Sequence, residues 1–327
     1  MHAVLEHTVQ QIMDEGGFRQ VDQAQAMKLT EQAIARFVAE NPDDWAAQSE
    51  RMQYLFNRNR TEVRGVVTQL WEEMRHSEFL PVQYELEFSD QGVMPAVLVK
   101  GNHANAEISG FVDRVDCYKQ DEKTYLRVID YKTGPKAFDY TDILEGIGLQ
   151  MLIYLFALED HGAVIFGTKP MPAGVLYVPA RDQTITVAGH LSPEEAKHEK
   201  ESGVKRSGLI LNEGAMLEAM ESPALQSKFL PITLKSTGAV VGDLASMHQL
   251  QLLKDYVHRL LVQMTDEIAS GDVRLTPYVR DSQHGSCRYC DYAAACHFDA
   301  AKVKMRVLKR TPREQFWEKL EQGAQHG

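Results

Sequence analysis

The sequence predicts an α/β fold, a central mixed β-sheet flanked by helices, with a helical region before it and a cysteine-bearing segment after it. Three observations predict it. Apolar residues recur at three- and four-residue spacing through residues 1–76, the period of a helix face. The period then drops to two at Val82, Tyr84, Leu86 and Phe88, as in a half-buried strand. Helical spacing returns over residues 140–159.

In chain order, Val4, Leu5 and Ile12 mark a first helix, and Ala33, Ile34, Phe37 and Val38 mark a second. Asn41-Pro42 breaks that run, and a long amphipathic segment covers residues 45–75. After the Val82–Phe88 alternation, residues 94–100 read as a short strand. Residues 107–118 and 124–132 read as two strands around the polar turn 119–123, and a hairpin is the economical connection. Residues 174–178 and 184–187 look like later strands. Residues 190–245 are polar with weak periodicity and read as an insertion. Residues 247–270 form a helix ending at Gly271, and a final helix lies near residues 312–322. The chain divides into an N-terminal helical part (1–78), a catalytic core (79–189), the insertion (190–245) and C-terminal helices with the cysteine segment (246–327), all within one domain.

The 327 residues carry 44% hydrophobic and 25% charged side chains, ordinary values for a chain with a packed core. No run approaches the roughly 20 apolar residues that span a bilayer. The N-terminus lacks the pattern of a secretory signal, so a cytoplasmic location is expected. There is no GxxxxGK[ST] phosphate loop, which argues against ATP hydrolysis. A net charge of -11 opposes coating nucleic acid through bulk electrostatics. A local basic stretch remains, Lys302, Lys304, Arg306, Lys309, Arg310 and Arg313, with no acid among them. It is a candidate DNA contact. A solvated helix face or a contact with a partner protein fits it equally well.

The chemistry concentrates in Gly110-Phe-Val-Asp-Arg-Val-Asp116 and Val128-Ile-Asp-Tyr-Lys-Thr133. Residues two apart on a strand share a face, so Asp130 and Lys132 point the same way. If hairpin partner numbers sum to about 243, Asp113 lies opposite Asp130, about 5 Å away. A slip of one residue would send the two acids to opposite faces. Two carboxylates at about 4 Å repel by roughly 4 kcal/mol in an effective dielectric near 20. A shared proton, the nearby lysine or a metal ion would offset that. Mg²⁺ suits one or two carboxylates with carbonyl oxygen and water, and Asp113, Asp130 and the backbone carbonyl of Tyr131 make such a set. Lys132 would then orient the attacking water or stabilise developing charge. D-x-K on a strand is commonly a solvated surface pair, yet both strands are otherwise apolar, where charge is more often functional or paired. Downstream, Gln150 and Tyr154 share a helix face, as do His2 and Glu6 at the chain start.

Together these segments resemble the RecB-like branch of the PD-(D/E)xK nucleases. The resemblance rests, in order, on His2-x-x-Leu5-Glu6, Gly110–Asp116, Ile129-Asp-Tyr-Lys-Thr133 and Leu149-Gln-Met-Leu-Ile-Tyr-Leu155. It implies a restriction-endonuclease-like core. It also implies metal ligation by His2, Asp113 and Asp130, a catalytic Lys132, and a site completed by Gln150 and Tyr154, which would meet DNA or the metal's water. Further segments, Pro172–Tyr177, Gly208–Glu213 and Cys287–Asp299, resemble the C-terminal nuclease domain of AddB-type helicase/nuclease subunits. That implies Mg²⁺- or Mn²⁺-dependent cleavage of single DNA strands to 5′-phosphate and 3′-hydroxyl ends, alongside an AddA-type partner subunit, in double-strand break repair by recombination. A stand-alone Cas4-like nuclease and a non-catalytic DNA-binding or assembly module are the alternatives.

Of the four cysteines, Cys287, Cys290 and Cys296 cluster while Cys117 stands alone on a strand, as a small core residue would. From spacing, zinc and iron–sulfur are both open for the trio, and a tetrahedral site wants four ligands. The resemblance implies a [4Fe–4S] cluster whose fourth cysteine lies upstream of this chain. The expectation is therefore an excised fragment, with Met1 as an expression start and the cluster absent or incomplete.

Overall fold

The computed structural model describes residues 1–41, 49–134, 137–180, 192, 203–281, 285–288, 290–299 and 305–325. The chain divides into two compact units: Met1–Val97 with Ile108–Phe138 and Gln150–Leu250, and Leu98–Glu107 with Asp139–Leu149 and Gln251–Gly327.

The first unit opens with helices α1 (His2–Asp14), α2 (Gln23–Glu40) and α3 (Glu50–Arg75). α1 buries Val4, Leu5, Val9 and Ile12, the three- and four-residue stripe of its sequence. The Asp22 side chain caps α2 by accepting from the Gln25 N–H at 2.8 Å. α3 buries Val63, Val66, Val67, Leu70 and Met74 from its C-terminal half.

The strands that follow are β1 (Leu80–Phe88), β2 (Val97–Lys100), β3 (Asn105–Ile108), β4 (Gly110–Gln120), β5 (Lys123–Lys132), β6 (Met171–Pro179), β7 (Ser207–Leu211), β8 (Ile232–Leu234), β9 (Val240–Gly242) and β10 (Leu244–Ala245). Six form the central sheet in the order β1-β4-β5-β6-β7-β10. The pairs β1/β4, β4/β5 and β6/β7 are antiparallel, while β5/β6 and β7/β10 are parallel. The sheet is thus mixed, as predicted. β5 is buried from Thr124 to Tyr131, in keeping with apolar residues from Tyr125 onward that are interrupted only at Arg127 and Asp130. The parallel step from β5 to β6 needs a crossover helix, and Gln150–His161 packs on both strands to supply it.

Several sequence expectations shift. The hairpin turn is only Asp121-Glu122, because Gln120 already pairs with Lys123. Val82 is exposed rather than inward, because a bulge between Pro81 and Gln83 changes the parity of the strand. The helix expected over 140–159 is two helices, α4 (Tyr140–Leu144) and α5 (Gln150–His161). Gly146 and Gly148 between them hold left-handed φ values of 75° and 68°, which end a helix. Of the stretch 190–245 read as an insertion, the described residues 203–245 include β7 and β10, which are strands of the central sheet. The polarity of the flanking residues masked two short buried strands. The strand expected at 184–187 falls outside the described residues.

One face of the sheet buries an ionic network. Asp116 accepts from Arg114 at 2.7 and 3.1 Å and from Arg127 at 2.9 Å, with all three side chains at most 1% exposed. Arg206, just ahead of β7, donates twice to Glu73 of α3, at 3.1 and 2.7 Å. Arg114 also donates to the Tyr131 hydroxyl at 2.5 Å.

The first unit also holds α6 (Ala163–Phe166) and α7 (Gly214–Met220). Further along the chain come α8 (Met247–Ala269), α9 (Ala293–Cys296) and α10 (Arg313–Gln325), with the short strands β11 (Tyr278–Val279) and β12 (Arg306–Val307). Gly271 follows α8 with φ 70°, the stop read from sequence. Within the second unit, Phe316 of α10 packs on Tyr140 at 4.9 Å between ring centroids. No described helix is long and apolar enough to cross a membrane.

Candidate metal and catalytic site

β4 and β5 pair with Arg114 facing Ile129 and Val115 facing Val128, the register that places Asp113 and Asp130 on one face. The Asp113 carboxylate accepts from the Tyr131 backbone N–H at 2.7 Å, the two residues lying one and two steps beyond the last Cα pair, Arg114/Ile129. In an extended strand the N–H and C=O of a residue share one edge, so the Tyr131 carbonyl faces the same side as that contact. The Lys132 ammonium lies 2.7 Å from Asp130 Oδ2, with the lysine about a third exposed and the aspartate mostly buried. α1 packs on β1 and β4 and brings its first residue to the acids: His2 Nδ1 stands 3.8 Å from Asp113 Oδ1.

The electrostatics are those of crowded, partly desolvated carboxylates. Burial, and then the neighbouring Asp113, push the Asp130 carboxyl up, while the hydrogen bond from Lys132 pulls it back. Burial, then Asp113 and Glu6, likewise push Glu85 up. Beneath the site, burial raises the Tyr131 phenol to about 12. Tyr177, which pairs with Asp130 across β6, is also raised to about 12 by burial and by that aspartate.

Glu85 is the residue that sequence reading missed. His2, Glu85 and Asp113 each offer a ligand atom, all within 4.8 Å of one another, and they form the one such group among the described residues. The pairs Tyr84/Arg114 and Leu86/Val112 bracket Glu85 and Asp113, which makes these two neighbours across β1 and β4. Glu85 occupied a polar position of the β1 alternation, but nothing local marked β1 as the neighbour of β4. The donor set, one imidazole nitrogen and several carboxylate oxygens, fits a divalent cation.

Gln150 and Tyr154 share α5, as their spacing predicted. Gln150 is exposed at the start of α5 and hydrogen-bonds the Tyr154 phenol. Tyr154 is only 3% exposed, so it does not present its ring to solvent. The ring stacks on Phe88 at 4.6 Å, and the hydroxyl donates to the Ser109 carbonyl at 3.3 Å. It pins the start of β4, three residues ahead of Asp113. Gly110 makes that approach possible, since a Cβ there would lie 2.0 Å from the Tyr154 hydroxyl. Gly110→Ala is expected to destabilise the protein by about 1–3 kcal/mol, as overpacking does. Adding Tyr154→Phe should return part of the loss in denaturant melts. Equal stability of Gly110→Ala and the wild type would contradict the contact.

Cys287, Cys290 and Cys296 are exposed free thiols outside that ligand group, and Cys117 is a buried one. Arg306 lies in β12 rather than on a helix, 3.4 Å from Glu145, and Lys309 and Arg310 are exposed beyond it. Lys302 and Lys304 fall outside the described residues.

Residues 1–297 match the PD-(D/E)XK nuclease superfamily. Among curated proteins, the chain is similar to three that are named as B-type subunits of an ATP-dependent helicase/deoxyribonuclease. The protein of Acetivibrio thermocellus is 28% identical over 98% of this chain and 29% of its own length. That of Clostridium kluyveri is 28% identical over 88% of the chain and 25% of its own length. The Ruminiclostridium cellulolyticum protein is 28% identical over 97% and 28%. The chain therefore spans little more than a quarter of the length of these relatives.

Proposed function

Because the chain belongs to the PD-(D/E)XK nuclease superfamily, we propose that it hydrolyses phosphodiesters of single DNA strands, as the nuclease part of an AddB-type protein that works with an AddA-type helicase partner in recombinational repair in the bacterial cytoplasm. The observation that carries this reading is the convergence of His2, Asp113, Asp130 and Lys132 from a helix and two strands onto one face. His2, Asp113, Asp130 and the Tyr131 carbonyl would hold Mg²⁺ or Mn²⁺. Such an ion supplies Lewis acidity toward the phosphoryl oxygen and lowers the pKa of water. The protein does the rest. Asp130 holds the Lys132 ammonium at the site, where it can orient the attacking water and stabilise charge on the phosphoryl oxygens. The Tyr131 N–H and Arg114, through the Tyr131 ring, keep the Asp113 carboxylate in place. Gln150 and Tyr154 act through the backbone that precedes Asp113. Lys302, Lys304, Arg306, Lys309 and Arg310 would receive the DNA strand, and Cys287, Cys290 and Cys296 would supply three of the four ligands of a [4Fe–4S] cluster.

The test is cleavage of end-labelled single-stranded DNA with Mg²⁺, Mn²⁺ or EDTA. Metal-dependent cleavage that EDTA abolishes is expected. Undiminished cleavage in EDTA would exclude the metal mechanism, and no cleavage with either ion would favour the binding-module reading.

A further inference from the structure

We propose that Phe111 is a stacking platform for an unpaired nucleobase beside the scissile phosphodiester, and that it biases the site toward single strands. The inference deepens the nuclease reading above and rests on it. Its first support is the place where the sheet opens. Cα pairing between β4 and β5 runs from Gln120/Lys123 to Arg114/Ile129. Beyond that pair β4 continues along β1, with Phe111 opposite Glu87 and Gly110 opposite Phe88, while β5 continues along β6 as far as Lys132/Pro179. The two strands therefore part at Asp113 and Asp130. Residues two apart on a strand share a face, so Phe111 stands on the Asp113 side of this opening and Lys132 on the Asp130 side.

The second support is exposure. Phe111 is 52% exposed, whereas Val112, Val115 and Cys117 of the same strand are at most 7% exposed. Single exposed apolar residues are ordinary. This one is set apart by its position, two residues and about 7 Å along the strand from an acid of the site. A base hangs one sugar away from its phosphate, so an aromatic ring there can meet the base of a nucleotide whose phosphate sits at the acids.

The third support is charge and rigidity. Glu87, opposite Phe111, accepts from the Ser89 hydroxyl at 2.8 Å, so a carboxylate lies on the β1 side of the ring. That charge disfavours a phosphate beside the ring and leaves the place to an uncharged base, while the Lys132 ammonium across the opening attracts phosphate. The start of β4 is held, since the Tyr154 hydroxyl donates to the Ser109 carbonyl at 3.3 Å. A platform on a fixed strand loses little freedom when a base stacks on it, and such stacking tolerates any sequence. A base inside a duplex keeps its faces against its neighbours and cannot use the ring unless it is unstacked.

The experiment is steady-state cleavage of a labelled single strand with Mg²⁺ by wild type, Phe111→Ala, Phe111→Leu, Phe111→Trp and the control Val164→Ala. Each is also given the matching duplex and a set of strands carrying one abasic residue at successive positions. Phe111→Ala is expected to raise KM roughly 5–150-fold, the range for losing one base–aromatic stack, with kcat little changed. Phe111→Leu, apolar but without a ring, should behave like Phe111→Ala, and Phe111→Trp should keep the wild-type KM or lower it. One abasic position should raise the wild-type KM by a similar factor and cost Phe111→Ala nothing further. On the duplex these two should not differ. Val164 is 71% exposed on α6, which leads into the β6 end paired with the start of β5, away from the acids, and Val164→Ala should match wild type. Phe111→Ala should melt with wild type, because an exposed ring contributes little burial. A KM for Phe111→Ala within about twofold of wild type, well short of one stack, would overturn the proposal and leave the nuclease reading standing. Equal abasic sensitivity in the two proteins would do the same. Absence of cleavage by wild type would instead remove the nuclease reading, and the stacking role with it.

Discussion

Lys132→Ala should slow cleavage of single-stranded DNA by about 10²–10³-fold, the usual loss when one preorganised stabiliser of developing charge is removed. The ammonium lies at the end of β5, about a third exposed, and is held 2.7 Å from Asp130. It is therefore accessible to a phosphoryl group while its position is fixed by an acid. Mn²⁺ affinity should not fall in this variant, since the ammonium donates no ligand. It should rise if anything, because Asp130 loses the cation that offsets its charge. Asp130→Ala provides the contrast: cleavage and ion affinity should fall together. Rate assays and calorimetry on the same preparations separate the two. Cleavage by Lys132→Ala within about threefold of wild type would remove the lysine from the chemistry, since one pK unit of interaction already corresponds to tenfold.

Glu73→Gln should destabilise the protein by about 3–5 kcal/mol at neutral pH, the loss expected when one partner of a buried pair is removed and the other stays charged. The Glu73 and Arg206 side chains are 1% and 0% exposed, and their nitrogen and oxygen atoms meet at 2.7 Å. Burial alone would raise the Glu73 carboxyl, but Arg206, Arg127 and Arg114 outweigh it and hold the group below its ordinary 4.5. With the folded-state pKa depressed, the stabilisation is complete above the unfolded value and is lost as pH falls through the folded one. The gap between wild type and Glu73→Gln should therefore be full at pH 7 and narrow as the pH drops below about 4.5. Denaturant melts across pH measure it. A gap that widens in acid would reverse the sign and refute the assignment. The effect also reaches the fold, since this pair ties α3 to the residue that leads into β7.

The two predictions draw on parts of the molecule that were unequally visible along the chain. Asp113, Asp130 and Lys132 could be picked out because strand alternation is a local rule and because acids inside apolar strands are conspicuous. The hairpin register was left open by the five-residue turn read from the chain, and the structure fixes it through a two-residue turn, with Gln120 paired to Lys123. The Glu73–Arg206 pair joins residues far apart in sequence, and neither stands out in its own segment. Arg206 in particular lay in a stretch read as an insertion. Polarity around it concealed Gly208-Leu-Ile-Leu211, an apolar run too short to separate from a buried helical turn by periodicity. Tyr154 shows the opposite balance. Its helical position was read correctly, but the ring turned inward onto Phe88, because a tyrosine can bury its ring wherever its hydroxyl finds an acceptor.

Helical or strand character, the hairpin and the pairing of Asp130 with Lys132 on one face were written in residue spacing, which acts over a few residues and needs no knowledge of distant neighbours. The order of strands in the sheet was not. Placing β1 beside β4 sets Glu85 next to Asp113, and packing α1 on those strands brings His2 to the same point. Such neighbours are chosen by burial of whole faces against one another, a free energy summed over the sheet and its helices, and no single stretch of chain carries it.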